Sequence, residues 1–286
     1  MSMDIEKKGE AIPRLLDEIV INYGGGCCLY NSDCLDILRT LPDGSVDMIL
    51  QDPPYNMTAC KWECELDFPV LWKEWERVVK ANGAIIMTAS QPFTTDLISS
   101  KRTWFKYEWI WNKQQAGNFT IAKQQPLRKH ENILVFYAKQ PTYNPQMEKA
   151  KVENIRPTID CGVNSITNLT SKHSETYSQE YNYPSSVIDN FHGRMAECNS
   201  VARQHPTQKP VDLFRYLIRT YTNEGETVFD GYGGSGTTAV ACIKENRKYI
   251  ICEKEAEYIE ITKKRIDEAT RQGDLFSAVG CCPHDL

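Results

Sequence analysis

Short unbroken apolar runs alternate with longer, one-faced apolar stretches through most of this chain. The runs at 46–50 (Val46-Asp47-Met48-Ile49-Leu50), 83–88, 227–229 and 249–252 are bounded by turn residues and predict buried strands. Residues 105–111 and 133–137 predict two more, separated by a polar stretch. Between the runs at 46–50 and 83–88, residues 66–80 carry an apolar face (Leu66, Val70, Leu71, Trp75, Val78, Val79) that predicts a helix. Further helices are expected at 209–222, where Pro210 opens the segment, at 237–245 and at 256–270. Residues 1–23 read as a polar-edged helix (Leu15, Leu16, Ile19, Val20) ended by Gly24-Gly25-Gly26. Strands alternating with helices imply an α/β fold, a doubly wound and mostly parallel sheet.

From 140 to 204 this pattern collapses into Pro, Asn, Ser and Thr with scattered aromatics, as an inserted functional segment does. The expected organisation is an N-terminal appendage over 1–26, one half-domain over 27–139, an insertion over 140–204, a second half-domain over 205–271 and a flexible tail over 272–286.

Composition narrows the class. The chain has 286 residues, 41% apolar and 25% charged, an ordinary globular balance. No run of 18 apolar residues occurs, so no membrane span is expected. Eleven cysteines, an odd number without a secretory signal, are expected to be free thiols in a reducing cytoplasm. Cys60 with Cys64, and Cys281-Cys282 with His284, lack the second pair that zinc-finger spacing needs, so no metal is expected.

Net charge is −5, which argues against coating nucleic acid by bulk attraction. Its distribution changes the picture. Residues 101–216 hold 16 Lys and Arg against 10 Asp and Glu, whereas residues 1–100 hold 8 against 16 and residues 217–286 hold 9 against 12.

Two places carry chemistry. The strand at 227–229 runs into Asp230-Gly231-Tyr232-Gly233-Gly234-Ser235-Gly236-Thr237-Thr238 and then a helix, and the next strand ends at Glu253. Glycines admit a ligand close to the backbone, the helix N-terminus offers N–H groups to an anion, and the terminal acid suits ribose hydroxyls. Those features together point to a nucleoside-containing cofactor. A nicotinamide dinucleotide is the weaker alternative, because the glycine spacing fits its fingerprint poorly. The other place is Asp52-Pro53-Pro54-Tyr55, where a buried strand gives out. Two prolines fix the backbone and remove two donors, Asp52 adds an acceptor and Tyr55 a flat ring. Acceptors beside a stacking face are what an exocyclic amino group on a planar base requires.

These motifs and their order resemble the beta class of S-adenosylmethionine-dependent DNA amino-methyltransferases. In that class the D-P-P-Y motif precedes a target-recognition region and the glycine-loop motif follows it. His205-Pro206-Thr207-Gln208-Lys209-Pro210 between them is also typical, and the resemblance spans residues 29–270. The resemblance implies a circularly permuted, Rossmann-like methyltransferase sheet and methylation of adenine N6 in duplex DNA. By position, Asp52, the Pro53 carbonyl, Pro54 and Tyr55 would hold a flipped adenine. Asp230, Gly231, Gly233, Gly234, Ser235, Gly236, Thr237 and Thr238 would surround the methionine part of the cofactor. Glu253 would take its ribose hydroxyls, Asp33 would lie near its adenine and Lys209 would reach its carboxylate. Gly231 and Tyr232 replace the family's Pro and Phe, which predicts a looser loop.

Accepting both protons of the amine localises its lone pair for in-line transfer, so catalysis is by positioning. Lys113, Lys123, Arg128 and Lys129, interleaved with Trp109, Trp111 and Phe119, form an expected phosphate-gripping surface. The insertion is the expected base reader. The resemblance also implies a homodimer, and Gln272-Gly273-Asp274-Leu275-Phe276 looks like a sliding-clamp docking peptide. Cytosine N4 methylation, protein-glutamine methylation and a decayed, sequence-specific DNA-binding protein remain the alternatives.

Overall fold

Branched apolar runs held between turn residues form the centre of a nine-stranded sheet. The computed structural model describes residues 20–55, 66–149, 181–191 and 208–279. In chain order the first elements are β1 (Val20–Gly24), β2 (Cys27–Asn31), α1 (Cys34–Thr40), β3 (Val46–Gln51), α2 (Phe68–Val78), β4 (Val79–Ala89) and α3 (Phe93–Ser100). The long strands β5 (Phe105–Gly117) and β6 (Arg128–Phe136) follow, then the short β7 (Glu148–Lys149), β8 (Tyr181–Asn182) and β9 (Val187–Ile188). The chain closes with α4 (Val211–Tyr221), β10 (Thr227–Asp230), α5 (Thr237–Lys244), β11 (Lys248–Glu253) and α6 (Ala256–Val279).

Spatial order in the large sheet is β1-β2-β11-β10-β3-β4-β6-β5-β9. Its middle, β2-β11-β10-β3-β4, is parallel, with Phe229 opposite Ile49 and Ile49 opposite Ile85. β6 and β5 turn antiparallel beyond β4. Parallel strands are buried on both faces, which is why their sequences read as continuous apolar runs rather than alternating ones. Met48 and Leu50 share a core with Leu213 and Leu217 of α4 and Val240 of α5. Ile49 belongs to the opposite core with Ile37 of α1 and Trp75 of α2. The result is a three-layer, mixed but mostly parallel Rossmann-like sheet, as the alternation predicts.

The chain leaves β3 toward β4 on one side and leaves β10 toward β11 on the other. The β3/β10 seam is therefore the topological switch point, where the carboxyl ends of open α/β sheets gather ligands.

Three expectations change. Val20–Gly24 is not the end of a helix but an edge strand, pairing Val20 with Tyr30 across the glycine turn. Backbone bonds to β2 outweigh the weak helical pattern there. Residues 272–279 continue α6 rather than forming a tail. Part of the irregular stretch rejoins the main sheet, because β9 pairs in parallel with Ile110 and Trp111 of β5. Residues 1–19, 56–65, 150–180, 192–207 and 280–286 lie outside the described residues, and with them Cys60, Cys64, Cys281, Cys282, His284 and the His205-Pro206-Thr207 portion of its motif.

Candidate active site

β3 delivers Asp52 to the carboxyl edge of the sheet, and the two following prolines stop any continuation of the ladder. The Asp52 carboxylate is the hub of the site. Its Oδ1 accepts from the Tyr55 hydroxyl at 2.9 Å and from the Thr88 hydroxyl near the end of β4. Lys209 Nζ donates to both oxygens at 2.7 Å. The Tyr55 ring stacks on Phe93 of α3 at 5.4 Å, with 23° between planes, and the Lys209 ammonium lies 5.4 Å from its centroid. Burial, and then Asp52 and Glu131, push the Tyr55 hydroxyl well above the ordinary phenol value, so it acts as a donor.

One strand over, β10 ends at Asp230. This carboxyl is 2% exposed, accepting from the Tyr232 N–H at 2.9 Å and from the Thr238 hydroxyl. Burial, reinforced by Asp52 and Glu253, outweighs those two bonds and raises its pKa to about 7. The loop then turns into α5 through Gly236, whose φ of +79° only glycine adopts without strain and whose missing Cβ makes room for Thr262. Arg265 of α6 ties down the Ser235 carbonyl (2.6 Å) and hydroxyl (3.0 Å). With those side chains engaged, the loop presents backbone. Gly236 supplies no side-chain cap to α5, so first-turn N–H groups are left for an anion.

Glu253, ending β11, accepts from the Gly234 N–H at 2.7 Å and the Glu255 N–H at 2.8 Å, with the Lys254 backbone N–H as a further donor, and keeps acceptor capacity to spare. Burial raises its carboxyl above the usual range. Asp33 caps α1 by accepting from the Leu35 N–H at 2.9 Å, next to Ser32, whose N–H bonds the Glu253 carbonyl. These groups form one continuous crescent along β2, β11 and β10. An anion acceptor at α5, a carboxylate with spare lone pairs and a glycine-lined floor suit a nucleoside-bearing amino acid. The residues present fit S-adenosylmethionine.

Several predicted residues sit elsewhere. The Lys209 ammonium, expected to reach the cofactor carboxylate, pairs here with Asp52 and Glu131, as its burial (7% exposed) demands of a charge. Gly231 is not slack: a Cβ there would stand 2.8 Å from the Cys34 Cβ and 3.1 Å from the Gln51 amide, so the loop is close-packed at that point. Trp109 and Trp111 are core residues, their indoles bonded to the Tyr221 hydroxyl at 2.7 Å and the Phe191 carbonyl at 2.8 Å. Lys113 pairs with Glu131 at 2.8 Å, and Arg128 donates to the Ser90 hydroxyl at 3.0 Å. Lys123 and Lys129 are exposed on the β5–β6 hairpin with Phe119, which is 68% exposed. Thr88 and Glu131 are site residues that sequence reasoning missed. Neither belongs to a local motif, and only the pairing of β4 with β6 brings Thr88 to Asp52 and Glu131 to Lys209. Among the described residues no group of three His, Cys, Asp or Glu side chains is placed to hold a metal ion, and no helix is long and apolar enough to cross a membrane.

A Rossmann-like sheet with an amine-acceptor tetrad and a glycine loop on neighbouring strands, the tetrad first in the chain, defines a methyltransferase of permuted motif order. A family profile described as DNA methylase matches residues 46–264. The chain belongs to this DNA methylase family and is a DNA methyltransferase. It is 30% identical over 261 residues to the DNA adenine methyltransferase YhdJ of Escherichia coli (strain K12), covering 85% of this chain and 83% of that protein. It is 28% identical over 268 residues to the Type II methyltransferase M.HpaI of Haemophilus parainfluenzae, covering 89% and 79%. The crystal structure of the M1.HpyAVI–SAM complex shares the fold, with a TM-score of 0.54 and 24% identity over 84% of this chain and 98% of that one.

Proposed function

We propose that this chain is a site-specific DNA methyltransferase that transfers the methyl group of S-adenosylmethionine to N6 of a flipped adenine in duplex DNA. The observation that carries this reading is the seam itself. Asp52 and Asp230 end adjacent parallel strands, so an amine acceptor and a cofactor-sized glycine loop open into one cleft. The cofactor, when bound, supplies an electrophilic methyl on sulfonium. The chain's residues do the rest. The Asp52 carboxylate and the Pro53 carbonyl accept the two amine protons, which concentrates the lone pair on nitrogen. Asp52 would then take the one amine proton that methylation releases and pass it to solvent. The Tyr55 ring, backed by Phe93, would offer the base its stacking face. Positioning of this kind needs no covalent intermediate.

The cofactor would lie along the Asp230–Thr238 backbone with Glu253 at its ribose and Asp33 near its adenine. Lys123 and Lys129, with Arg128 behind them, would grip phosphates, and residues 140–204 would read bases. The setting is the cytoplasm of a bacterial or phage-infected cell. Names of relatives as DNA adenine methyltransferase or Type II methyltransferase support adenine and a restriction-modification context. Incubation with labelled S-adenosylmethionine and unmodified duplex DNA tests the reading. Label recovered as N6-methyladenine is expected; N4-methylcytosine would move the target base. DNA binding without label would leave a DNA-binding protein. A homodimer is tested by sedimentation. Clamp docking by Gln272-Gly273-Asp274-Leu275-Phe276 is excluded by binding that survives Leu275→Ala with Phe276→Ala.

A further inference from the structure

Methyl transfer at Asp52 leaves two charges beside it, Glu131 on β6 and Lys113 on β5, without a task. Glu131 is 13% exposed, and its Oε1 accepts from Lys113 at 2.8 Å. Its Oε2 is fully enclosed and makes no hydrogen bond, although it lies 3.4 Å from Lys209 Nζ. A buried carboxylate oxygen left one short movement away from a donor is costly unless something uses it. Asp52 has the opposite problem. Its Oδ1 already accepts from Tyr55, Thr88 and Lys209, and its Oδ2 is shared with the same Lys209 ammonium, so an arriving amino group must compete with Lys209 for Oδ2.

We infer that Glu131 is a positioning residue for methyl transfer: it is the second seat of the Lys209 ammonium, which shifts to Glu131 Oε2 and frees Asp52 Oδ2 when the target amine enters. The inference rests on the adenine-methyltransferase reading. Two carboxylates and two ammonium groups make the cluster neutral, so the shift exchanges hydrogen bonds without burying net charge. The groups facing Lys209 are Asp52 from the end of β3, the Tyr55 ring from the loop after it and Glu131 from β6, with Lys113 behind Glu131. Among the described residues, the Thr237 hydroxyl meets its backbone carbonyl from the α5 side. Burial alone would lower the Lys209 pKa, but Asp52 and Glu131 reverse this and hold it above the ordinary value. Burial likewise pulls the Glu131 carboxyl up, and Lys209 and Lys113 bring it below its usual range.

The test uses the full chain, labelled S-adenosylmethionine and unmodified plasmid DNA under single-turnover conditions, beside an NMR titration of ¹³Cε-labelled lysines with Lys209 assigned through Lys209→Arg. Glu131→Gln is expected to slow methyl transfer about tenfold or more, the effect of removing an outer partner from a working group, with cofactor affinity held within about twofold. In the DNA-free protein, Glu131→Gln moves the Lys209 titration to lower pH and Lys113→Met moves it to higher pH, because one removes a negative and the other a positive neighbour. Glu131→Asp restores part of the rate. A Glu131→Gln rate within twofold of wild type, or a Lys209 titration unchanged in both variants, overturns the inference. If Glu131→Gln does not fold, Lys113→Met carries the titration alone. A wild-type protein that labels no DNA sinks the functional reading instead, and the titration still reports the shared seat.

Discussion

At the level of single residues the site separates into groups that a local motif announces and groups that only the fold supplies. Asp52-Pro53-Pro54-Tyr55 was legible because four neighbours carry the whole argument for an amine acceptor. Lys209 was legible as a functional residue but not in its partner, since 157 positions separate it from Asp52. Asp52→Asn keeps shape but replaces one acceptor by a donor. It is expected to lower methyl transfer by roughly 10²–10³, the usual loss when one pre-set polar contact to the reacting group is removed. Cofactor binding by calorimetry should change little, and a parallel loss of both would place Asp52 in the cofactor site instead. Gly231 gives a second residue-scale prediction. The exchange of Pro for Gly reads from sequence as looseness, because sequence does not show that Cys34 and Gln51 crowd the position. Gly231→Ala should destabilise the protein by about 1–3 kcal/mol through overpacking. Cys34→Gly removes the clashing Cβ, so a double-mutant cycle in denaturant should show favourable coupling. Additive effects would mean that the loop gives way elsewhere.

Elements were legible in proportion to how much of their signal is local. β3, β10 and β11 are buried on both faces and their apolar runs stand out, and α4 opens where Pro210 forbids an earlier start. β1, β2, β9 and the seven-residue α1 escaped, because short strands at or next to a sheet edge and a two-turn helix owe their structure to the sheet they join rather than to local pattern. The β5–β6 hairpin shows the same limit in its chemistry. Its basic residues were visible, but only the register shows that Lys113 turns inward to Glu131 while Lys123 and Lys129 stay exposed. Phosphate contact should therefore rest on the outer pair. Lys123→Gln with Lys129→Gln is expected to reduce the steepness of the log K against log salt plot for duplex DNA by nearly two, at about 0.9 for each lost phosphate contact. The methylated sequence should not change, since phosphate contacts position without reading bases. An unaltered salt slope would assign the grip to another surface.

Across the whole molecule, sheet order converts an acidic chain into a charge pattern with a use. The regions flanking the basic middle are net acidic, and the order β11-β10-β3 gathers Glu253, Asp230 and Asp52 at one edge. Their crowding adds to burial at Asp230, and the consequence is a pH dependence of folding that no single strand would produce. The ordinary value for this carboxyl is 3.8, and in the folded chain it stands at about 7. Between those values the folded state holds a proton that the unfolded state has released. Stability therefore falls as pH rises across that window and levels off above it. Asp230→Asn is neutral at every pH and keeps an oxygen for the Tyr232 N–H, while the Thr238 hydroxyl can rotate to accept from the new amide. Relative to wild type, this variant should gain stability from pH 5 to about pH 7 and level off by pH 8, by roughly 2–3 kcal/mol over that span. Glu253, raised in the same direction, and Glu131, lowered in the opposite one, are present in both proteins and largely cancel in the comparison. Thermal melts of the pair at half-unit pH steps measure the difference. Curves that run parallel would show that Asp230 is ionised throughout, and that water or the neighbouring loop already solvates the edge where the three acids meet.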